Sequence, residues 1–400
     1  MAERFITLAE VSFDGKGSYG IGASAVPYSE ELYTYLRITD INDDGTLNLN
    51  DLKSVDDEKA KDYLLKPNDI VFARTGASTG RNYFYDGSDG EFVYAGFLIK
   101  FSIDDKKINP KYVKYYCQSL DYKGWINSFN TGSTRGNINA QTLGKMPIPL
   151  LERKQQDNLV SILSSIDEKI KKNNQINNNL LQQASALFDN AIHTTKSISY
   201  TELGLLADVK GGKRLPKGVN LITVPNKHPY IRVRDLNNMV FASLSKEYEY
   251  VDEETQKGIS KYIVSTGDVL ISIVGTIGLT AIVDTTLENA NLTENCVKLT
   301  NLRTVTPEYL LLFLRSVKGM EAISKGTVGA VQPKLPIKNI QSIPIPLLAT
   351  EQMQSLIGAL TTIFSQISAN VIESKSLADM RDALLPKLMS GELDVSEIDI

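Results

Sequence analysis

The chain has 400 residues, 42% of them hydrophobic, and a formal net charge of −4, which suits two to four folded domains and excludes an intrinsically disordered protein. Its two cysteines, Cys117 and Cys296, lie far apart, which excludes a disulfide framework and a cysteine zinc site and favours a reducing cytoplasm. The first residues show no signal-peptide pattern, and the most apolar window, 269–283, is too short to span a bilayer, so we expect no contact with a membrane.

The main strand patterns of the chain occur twice. Residues 35–41 and 230–236 alternate apolar and polar residues, as half-buried strands do. Residues 67–76 and 266–275 each lead from a turn with an aspartate into an apolar strand that ends at a glycine-containing turn. We therefore predict two similar globular units.

Each unit is followed by a proline-containing lead-in and a long helical pattern. Residues 146–151 recur as 343–348, an offset of 197, and we expect their prolines to break any strand. Residues spaced by four and three follow, which is the heptad seam that packs one helix along another. The seam residues are Leu159, Leu163, Ile166, Ile170, Asn173, Leu180 and Leu187 in the first helix, and Leu356, Leu360, Ile363, Ile367, Asn370, Leu377 and Leu384 in the second.

These patterns predict an α+β fold. Two repeated globular α/β units, at 1–145 and 198–342, alternate with helices at 146–197 and 343–400, the last ending in an acidic tail. Helices of this length extend about 60 Å. We expect them to pack as an antiparallel coiled coil, forming a rod with a globular unit at each end and pseudo-two-fold symmetry.

The sequence offers little support for an enzyme. His193 and His228 lack catalytic partners in sequence, and the motifs of phosphate loops, dinucleotide sites, zinc proteases and serine hydrolases do not occur. Residues 109–112 (Asn-Pro-Lys-Tyr) resemble the Asn-Pro-Pro-Tyr/Phe loop of adenine methyltransferases, but no glycine-rich cofactor loop precedes them. The second repeat keeps only Pro307 and Tyr309, so we predict a helix start in both places.

Polar loops at equivalent places in the two units suggest a two-site DNA reader. Arginine, asparagine and glutamine pair with base edges, and small hydroxyl residues bind phosphates. From Asp208 to Asp235, seven basic residues stand against two acidic ones, which predicts a basic face despite the negative net charge. The candidate DNA-binding residues are Arg74, Thr75, Ser78, Thr79, Arg81, Ser133, Thr134, Arg135, Asn137, Lys213, Arg214, Lys217, Thr276, Lys325, Thr327, Gln332 and Lys334.

The lead-ins and helices resemble the specificity subunit of type I restriction–modification systems. The similar segments are 148–156 (Ile-Pro-Leu-Leu-Glu-Arg-Lys-Gln-Gln), 162–170 (Ile-Leu-Ser-Ser-Ile-Asp-Glu-Lys-Ile) and 384–393 (Leu-Leu-Pro-Lys-Leu-Met-Ser-Gly-Glu-Leu). The second lead-in departs from this pattern, because 349–352 (Ala-Thr-Glu-Gln) lacks the acidic residue before Glu351. The resemblance covers the whole chain in architecture and is specific in the helices.

The resemblance implies a non-catalytic subunit whose globular units are target recognition domains, each holding half of a split double-stranded DNA target. The paired helices would measure the gap and dock two methyltransferase subunits, which the restriction subunits join. S-adenosylmethionine and ATP would then bind to those partners. Three alternatives remain: an orphan or recombining specificity subunit that serves a methyltransferase only, a self-contained adenine methyltransferase, and a structural tether with protein-binding ends.

Overall fold

The computed structural model of the chain describes residues 4–49, 51–129, 136–195, 197–236 and 239–395. The chain forms two compact units. Unit 1 comprises Met1–Lys171 and Ser374–Ile400, and unit 2 comprises Lys172–Glu373. Each unit therefore combines one globular part with segments of both long helices.

Unit 1 contains two four-stranded sheets and one two-stranded sheet within its described residues. Its strands are β1 Phe5–Thr7, β2 Ser18–Tyr19, β3 Ala25–Pro27, β4 Tyr33–Leu36, β5 Lys53–Val55, β6 Asp69–Ala73, β7 Asn82–Tyr85, β8 Phe92–Tyr94, β9 Leu98–Ser102 and β10 Pro147–Pro149. Its short helices are α1 Leu8–Val11, α2 Pro110–Tyr116, α3 Leu120–Asn127 and α4 Ala140–Gly144, and the long helix α5 Arg153–Thr194 begins here. The sheets have the strand orders β2-β9-β6-β7, β3-β5-β4-β8 and β1-β10.

Unit 2 has a related plan, with a five-stranded sheet and two two-stranded sheets within its described residues. Its strands are β11 Ser199–Glu202, β12 Asp208–Gly211, β13 Tyr230–Ile231, β14 Phe241–Ala242, β15 Val269–Ser272, β16 Thr280–Val283, β17 Asn291–Leu292, β18 Cys296–Thr300 and β19 Pro344–Leu347. Its helices are α6 Leu203–Leu206, α7 Glu253–Ile259, α8 Pro307–Arg315, α9 Val317–Gly326, α10 Ile337–Gln341 and the long helix α11 Thr350–Met389. The sheets have the orders β12-β18-β15-β16-β14, β13-β17 and β11-β19. The prediction of two repeated α/β units with two long helices is thus confirmed.

The two predicted apolar strands are the buried centres of the main sheets. Every residue of β6 and of β15 is buried, and each strand pairs antiparallel with neighbours on both sides. An aspartate where each strand begins accepts a hydrogen bond from the turn, at 2.8 Å from Lys66 N to Asp69 and 2.9 Å from Ser265 N to Asp268. Continuous apolar sequence therefore marks strands covered on both faces.

Both proline-led helix starts are confirmed. Asn109 caps α2 by accepting from the Lys111 N–H at 3.0 Å, and Thr306 caps α8. The tyrosines that follow carry an unpredicted repeat, since the hydroxyl of Tyr112 donates to Pro149 O at 2.8 Å and that of Tyr309 to Pro346 O at 2.6 Å. Residues 109–112 therefore start a helix and tie it to the lead-in, and they do not form a substrate loop.

Two sequence-based expectations about strands were wrong. The proline lead-ins do not break strands, because β10 and β19 pair with β1 and β11 in two-stranded sheets where proline, which lacks an N–H, is tolerated. The strands predicted at 35–41 and 230–236 end at Leu36 and Ile231, and a 3-10 turn follows each of them. Arg37 then donates to the Asp40 carboxylate at 2.6 and 3.0 Å and closes a 3-10 turn, so a local charge pair overrides the alternation.

The long helices pack antiparallel within each unit. In unit 1, Asp167 of α5 accepts from Arg381 of α11 at 3.0 Å, and Asn158 of α5 donates to Val395 O, just after α11, at 2.6 Å. The first half of α5 therefore lies beside the end of α11 and the residues that follow it. In unit 2, Asn173 donates to Glu373 at 2.8 Å, and Asn370 donates to Asn177 at 2.8 Å. The predicted antiparallel pairing is confirmed, and the seam asparagines take part in it.

Burial follows most of the predicted seam. The buried members are Leu159, Leu163, Ile166, Asn173, Leu356, Leu360, Ile367 and Asn370, and the half-buried members are Ile170, Leu180, Ile363, Leu377 and Leu384. Leu187 was assigned wrongly, because it is 43% exposed while Ala184, Phe188 and Ile192 are buried. A straight helix drifts from the heptad repeat by about 20° per heptad, which moves the buried stripe onto these residues.

One helix meets a compositional test for a membrane span, contrary to the expectation that none would. An 18-residue window in α11 has a mean hydropathy of 1.4. Its apolar residues Leu356, Leu360 and Phe364 pack in the hydrophobic core of unit 2. Helices of protein cores pass the same test, but 28% of this window is buried, so packing accounts for only part of its apolar composition.

Candidate nucleic-acid interface

Two loops of unit 1 that the sequence suggests separately are joined in the structure. After β6, residues 74–81 form a tight loop whose Gly76 has a φ of +75°. Its backbone meets the loop before α4, since Gly76 N donates to Gly136 O at 3.0 Å and Ile138 N donates to Arg74 O at 2.9 Å. Thr75 and Asn137 pair as an isolated β-bridge. These polar side chains therefore lie on one edge of the unit, which we call the unit 1 loop edge.

Arg74 is the best-placed DNA-binding candidate on the unit 1 loop edge. Its guanidinium carbon lies 4.9 Å from the centre of the Tyr19 ring, a cation–π contact. Its backbone N–H donates to Phe97 O at 3.1 Å, beside a phenylalanine ring that is 62% exposed. Its buried Nε has no hydrogen-bond partner among the described residues. An arginine whose guanidinium is held against an aromatic ring is suited to a guanine edge or a phosphate.

Other candidates on this edge serve the loop itself. Arg81 donates to both carboxylate oxygens of Asp43, at 2.6 and 3.1 Å, which fixes the loop against the turn at 42–46. The Thr79 hydroxyl lies 2.8 Å from Gly76 O and 3.0 Å from Gly136 O. Ser78 is half-buried in the same loop. Ser133, Thr134 and Arg135 lie outside the described residues.

Unit 2 has the same loop framework with different side chains. Leu335 N donates to Ile273 O at 3.0 Å, as Ile138 N does to Arg74 O, and Val274 forms a bridge with Lys334 as Thr75 does with Asn137. The counterpart of Arg74 is thus Ile273, which is buried. Thr276 and Lys334 are exposed on this unit 2 loop edge.

The remaining candidates lie in the last turn of α9 or just after it, and they differ in whether their polar atoms are already bonded. Gln332 is exposed in the hairpin closed by two 2.9 Å backbone bonds between Val328 and Lys334. Lys325 is exposed and lies 3.8 Å from Glu321. The Thr327 hydroxyl donates to Ile323 O at 2.8 Å, so its proton is used at the end of the helix.

The predicted basic stretch borders the same edge of unit 2. Lys213, Arg214 and Lys217 are exposed, and Arg214 donates to Glu294 at 2.6 Å. The next residue, Asn295, accepts from Ile273 N at 2.8 Å through its carbonyl, which places this turn beside the loop.

An open cavity of about 420 Å³ lies here, and its wall includes side chains that were not among the predicted candidates: Tyr230, Arg232, Arg234 and Asn295. Arg232 and Arg234 both pair with Glu249. Burial raises the pKa of the neighbouring Asp235 to about 6, partly offset by Arg234. The Arg-x-Arg sequence at 232–234 is the feature from which a basic lining of this cavity could have been predicted.

The metal-ligating side chains of the described ranges are dispersed. No group of three or more His, Cys, Asp or Glu side chains there is placed to hold a metal ion. Burial raises the pKa of the Cys296 thiol to about 12 and that of Cys117 well above its usual range, so both stay protonated near neutral pH. The His228 Nε2–H donates to the Glu253 carboxylate at 2.8 Å.

Comparison with known proteins places both units in one family. The family model described as "Type I restriction modification DNA specificity domain" matches residues 24–182 and again 197–375. The type I restriction enzyme HindI specificity subunit of Haemophilus influenzae is 20% identical over 411 aligned positions, covering 82% of this chain and 87% of that protein. The putative type I restriction enzyme MjaX specificity subunit of Methanocaldococcus jannaschii is 22% identical, covering 91% and 88%.

A solved structure shares the fold. The crystal structure of a type I restriction–modification system S subunit from M. genitalium superposes with a TM-score of 0.52 at 16% identity, over 97% of this chain and 96% of that one. The two family matches cover most of the chain and coincide with its internal repeat. The chain therefore belongs to the type I restriction–modification DNA specificity family and carries the family's domain twice.

Proposed function

We propose that the chain is the non-catalytic specificity subunit of a type I restriction–modification complex and reads a bipartite double-stranded DNA target. Each unit would read one half-site through its loop edge. The observation that carries this proposal is the pair of loop edges, which share one backbone framework and differ in side chains. Two units with the same backbone framework and different side chains at their loop edges are suited to bind two different half-sites of one DNA target.

The differences between the edges concern the side chains that read bases. Unit 1 presents Arg74 stacked on Tyr19, whereas the counterpart of Arg74 in unit 2 is the buried Ile273. Unit 2 instead presents Arg214 and Lys334, both exposed. Base specificity comes from side chains at groove edges, and phosphate contacts set the register. We infer that the two half-sites differ in sequence.

Methylation and cleavage would belong to partners in the complex. We propose two methyltransferase subunits that bind S-adenosylmethionine, with restriction subunits that use ATP, all in the cytoplasm. The role of residues 109–112 as a helix start supports this division, because the segment most similar to a methyltransferase loop is used in packing. S-adenosylmethionine binding by the isolated chain would contradict it.

Two equivalent exposed aromatic side chains suggest where the methyltransferase subunits dock. Phe5 lies opposite Pro149 in the β1–β10 pair, and Tyr200 lies opposite Pro346 in the β11–β19 pair. Their exposed fractions are 54% and 55%. A recurring aromatic anchor on both repeats fits two copies of the same partner, since interface energy concentrates in such residues.

The docking proposal predicts a stoichiometry change. Phe5→Ser alone or Tyr200→Ser alone should weaken one of two methyltransferase sites by about ten-fold or more, and the double variant should weaken both. Native mass spectrometry of the reconstituted complex would count bound subunits at limiting concentration. Phe13→Ser, which changes another exposed phenylalanine (64%), is the control and should leave two subunits bound. Two bound subunits in the double variant would exclude this docking site.

The function itself is tested by genome-wide adenine methylation in cells that carry the methyltransferase partner, with and without this chain. We expect a split motif with a fixed gap to be methylated only when the chain is present. An unchanged methylation pattern, while the complex still assembles, would contradict DNA reading by the two units.

Arg74 gives a residue-level prediction. Arg74→Ala should relax recognition in one half-site and cost about 1–3 kcal/mol of binding free energy if the guanidinium contacts a base. Arg81→Ala is the matched control in the same loop, and we expect it to relax the half-site less because Asp43 holds its guanidinium. Methylation motifs from a randomised target library measure both variants. Equal loosening of both half-sites by Arg74→Ala would indicate a phosphate contact.

A further inference from the structure

The two helix-packing regions differ in one polar cluster of unit 1. Asp167 of α5 accepts from Arg381 of α11 at 3.0 Å, from Lys114 at 3.1 Å and from the Tyr115 hydroxyl at 2.8 Å. The side chains of Asp167 and Arg381 are only 22% and 16% exposed. A carboxylate and two cations therefore meet where α5, α11 and α2 pack together.

Unit 2 has an apolar cluster at the equivalent places. Adding the repeat offset of 197 to Lys114, Tyr115 and Asp167 gives Leu311, Leu312 and Phe364, and subtracting it from Arg381 gives Ala184. These four counterparts are 0%, 4%, 1% and 0% exposed and belong to one hydrophobic core. The Phe364 ring also packs edge-on against Phe241, with centroids 6.4 Å apart.

This difference bears on which helix segments fit together. The carboxyl-terminal segment of α11 brings Arg381 to Asp167, while the equivalent segment of α5 brings Ala184 to Phe364. In a pair of two carboxyl-terminal half-chains, Arg381 would face Phe364 and two leucines, with only its neighbour Asp382 as a partner. A buried cation without a facing carboxylate is strongly unfavourable.

In a pair of two amino-terminal half-chains, Asp167 would face Ala184 and lose its contact with Arg381. Lys114 and Tyr115 would remain beside the carboxylate. The pair of amino-terminal halves therefore lacks the Asp167–Arg381 contact, and the pair of carboxyl-terminal halves buries Arg381 without a facing carboxylate. The pair of one amino-terminal and one carboxyl-terminal half avoids both losses. Specificity between competing pairs is the difference between their affinities, so these mismatches select the unlike pair.

We propose that the polar cluster and its apolar counterpart form a pairing code between the two halves of this chain. The amino-terminal half selects the carboxyl-terminal half as its partner and discriminates against a second copy of itself. The consequence is that the two halves of one chain pair with each other in preference to the same half of a second chain. This proposal is independent of DNA reading, because it concerns helix pairing alone.

The code is tested on the folded full chain, cut at a specific protease site inserted between Thr195 and Ser197. The cut protein is incubated until the halves exchange, and native mass spectrometry counts like and unlike pairs. The exchange constant is the squared concentration of unlike pairs divided by the product of the concentrations of the two like pairs. We expect it to exceed the value for a statistical mixture by at least about a hundred-fold. A statistical mixture from the natural sequence would overturn the proposal.

Two variants separate the code from other contacts. The quadruple variant Lys114→Leu, Tyr115→Leu, Asp167→Phe and Arg381→Ala gives unit 1 the residues of unit 2. Its like and unlike pairs should form in nearly statistical proportions. Arg381→Met removes the charge at similar size, so it tests the code even if the quadruple variant fails to fold. We expect Arg381→Met to lower the exchange constant at least ten-fold.

The matched control is Arg153→Met, which removes an arginine near the start of α5 that bonds to Asp157 and Asp105 O. It should leave the exchange constant unchanged. An unchanged constant in Arg381→Met would assign the preference to other contacts and overturn the code, whereas a fall in both variants would indicate a general loss of helix stability and also contradict it.

Discussion

Insertion of one heptad into both long helices, between Lys171 and Lys172 and between Glu373 and Ser374, is expected to lengthen the gap of the DNA target by up to about three base pairs. The half-site sequences should stay the same. These two places are the boundaries between the compact units, so an insertion there leaves the contacts within each unit intact. One heptad adds about 10 Å of helix and keeps the apolar seam nearly in phase. Methylome sequencing of the insertion variant measures the gap.

The control for this experiment is the same heptad inserted into only one helix. Each unit needs segments of both α5 and α11. A single insertion therefore shifts one helix against the other, and the helix contacts of both units no longer form together. We expect loss of methylation and a lower melting temperature. A target with an unchanged gap after the matched insertion would contradict the idea that the helices measure it.

The fold was predictable where burial imposes a period on the sequence. The apolar runs of β6 and β15 and the seam of α5 and α11 are such patterns, and their duplication strengthened each prediction. The hydroxyl bonds of Tyr112 and Tyr309 were missed, because a buried tyrosine gives the same apolar signal as phenylalanine and its acceptor lies 37 residues away. Leu187 was misassigned because the heptad pattern was extended along the whole helix, although the buried face of a straight helix drifts away from a strict heptad repeat.

The candidate site was predictable only in part. The strand-end loop and the loop before α4 each contain polar residues, but their joining depends on backbone bonds such as Ile138 N to Arg74 O, which leave no mark in residue types. Arg74 and Arg81 are equivalent in sequence terms. They differ in the structure because Asp43, from a distant turn, occupies Arg81, while Tyr19 holds Arg74 and leaves its Nε unused.

Replacement of Asp167 by alanine is expected to destabilise unit 1 by about 2 kcal/mol, because it leaves Arg381 and Lys114 close together in a mostly buried place without their carboxylate. Trp125, the single tryptophan of the chain, packs against the core of unit 1, so its fluorescence during urea unfolding reports on this unit. Asp157→Ala is the control. It removes a carboxylate that is 48% exposed, pairs with Arg153 and accepts from the Asn109 amide at 2.7 Å, and should cost less than about 1 kcal/mol.

The pH dependence of unfolding provides an independent check on the same carboxylate. Burial raises the pKa of Asp167, but Lys114, the Tyr115 hydroxyl and Arg381 outweigh it, so the net pKa lies below the usual aspartate value of 3.8. The ionised cluster then stabilises unit 1 above that value, and its contribution disappears as the pH falls through the lowered pKa of the folded state. The difference in unfolding free energy between the natural chain and Asp167→Ala should therefore be largest near neutral pH and shrink in acid. A difference that stays constant between neutral and strongly acidic pH would mean that Asp167 stabilises unit 1 by packing, without the charge contacts that link α5, α11 and α2.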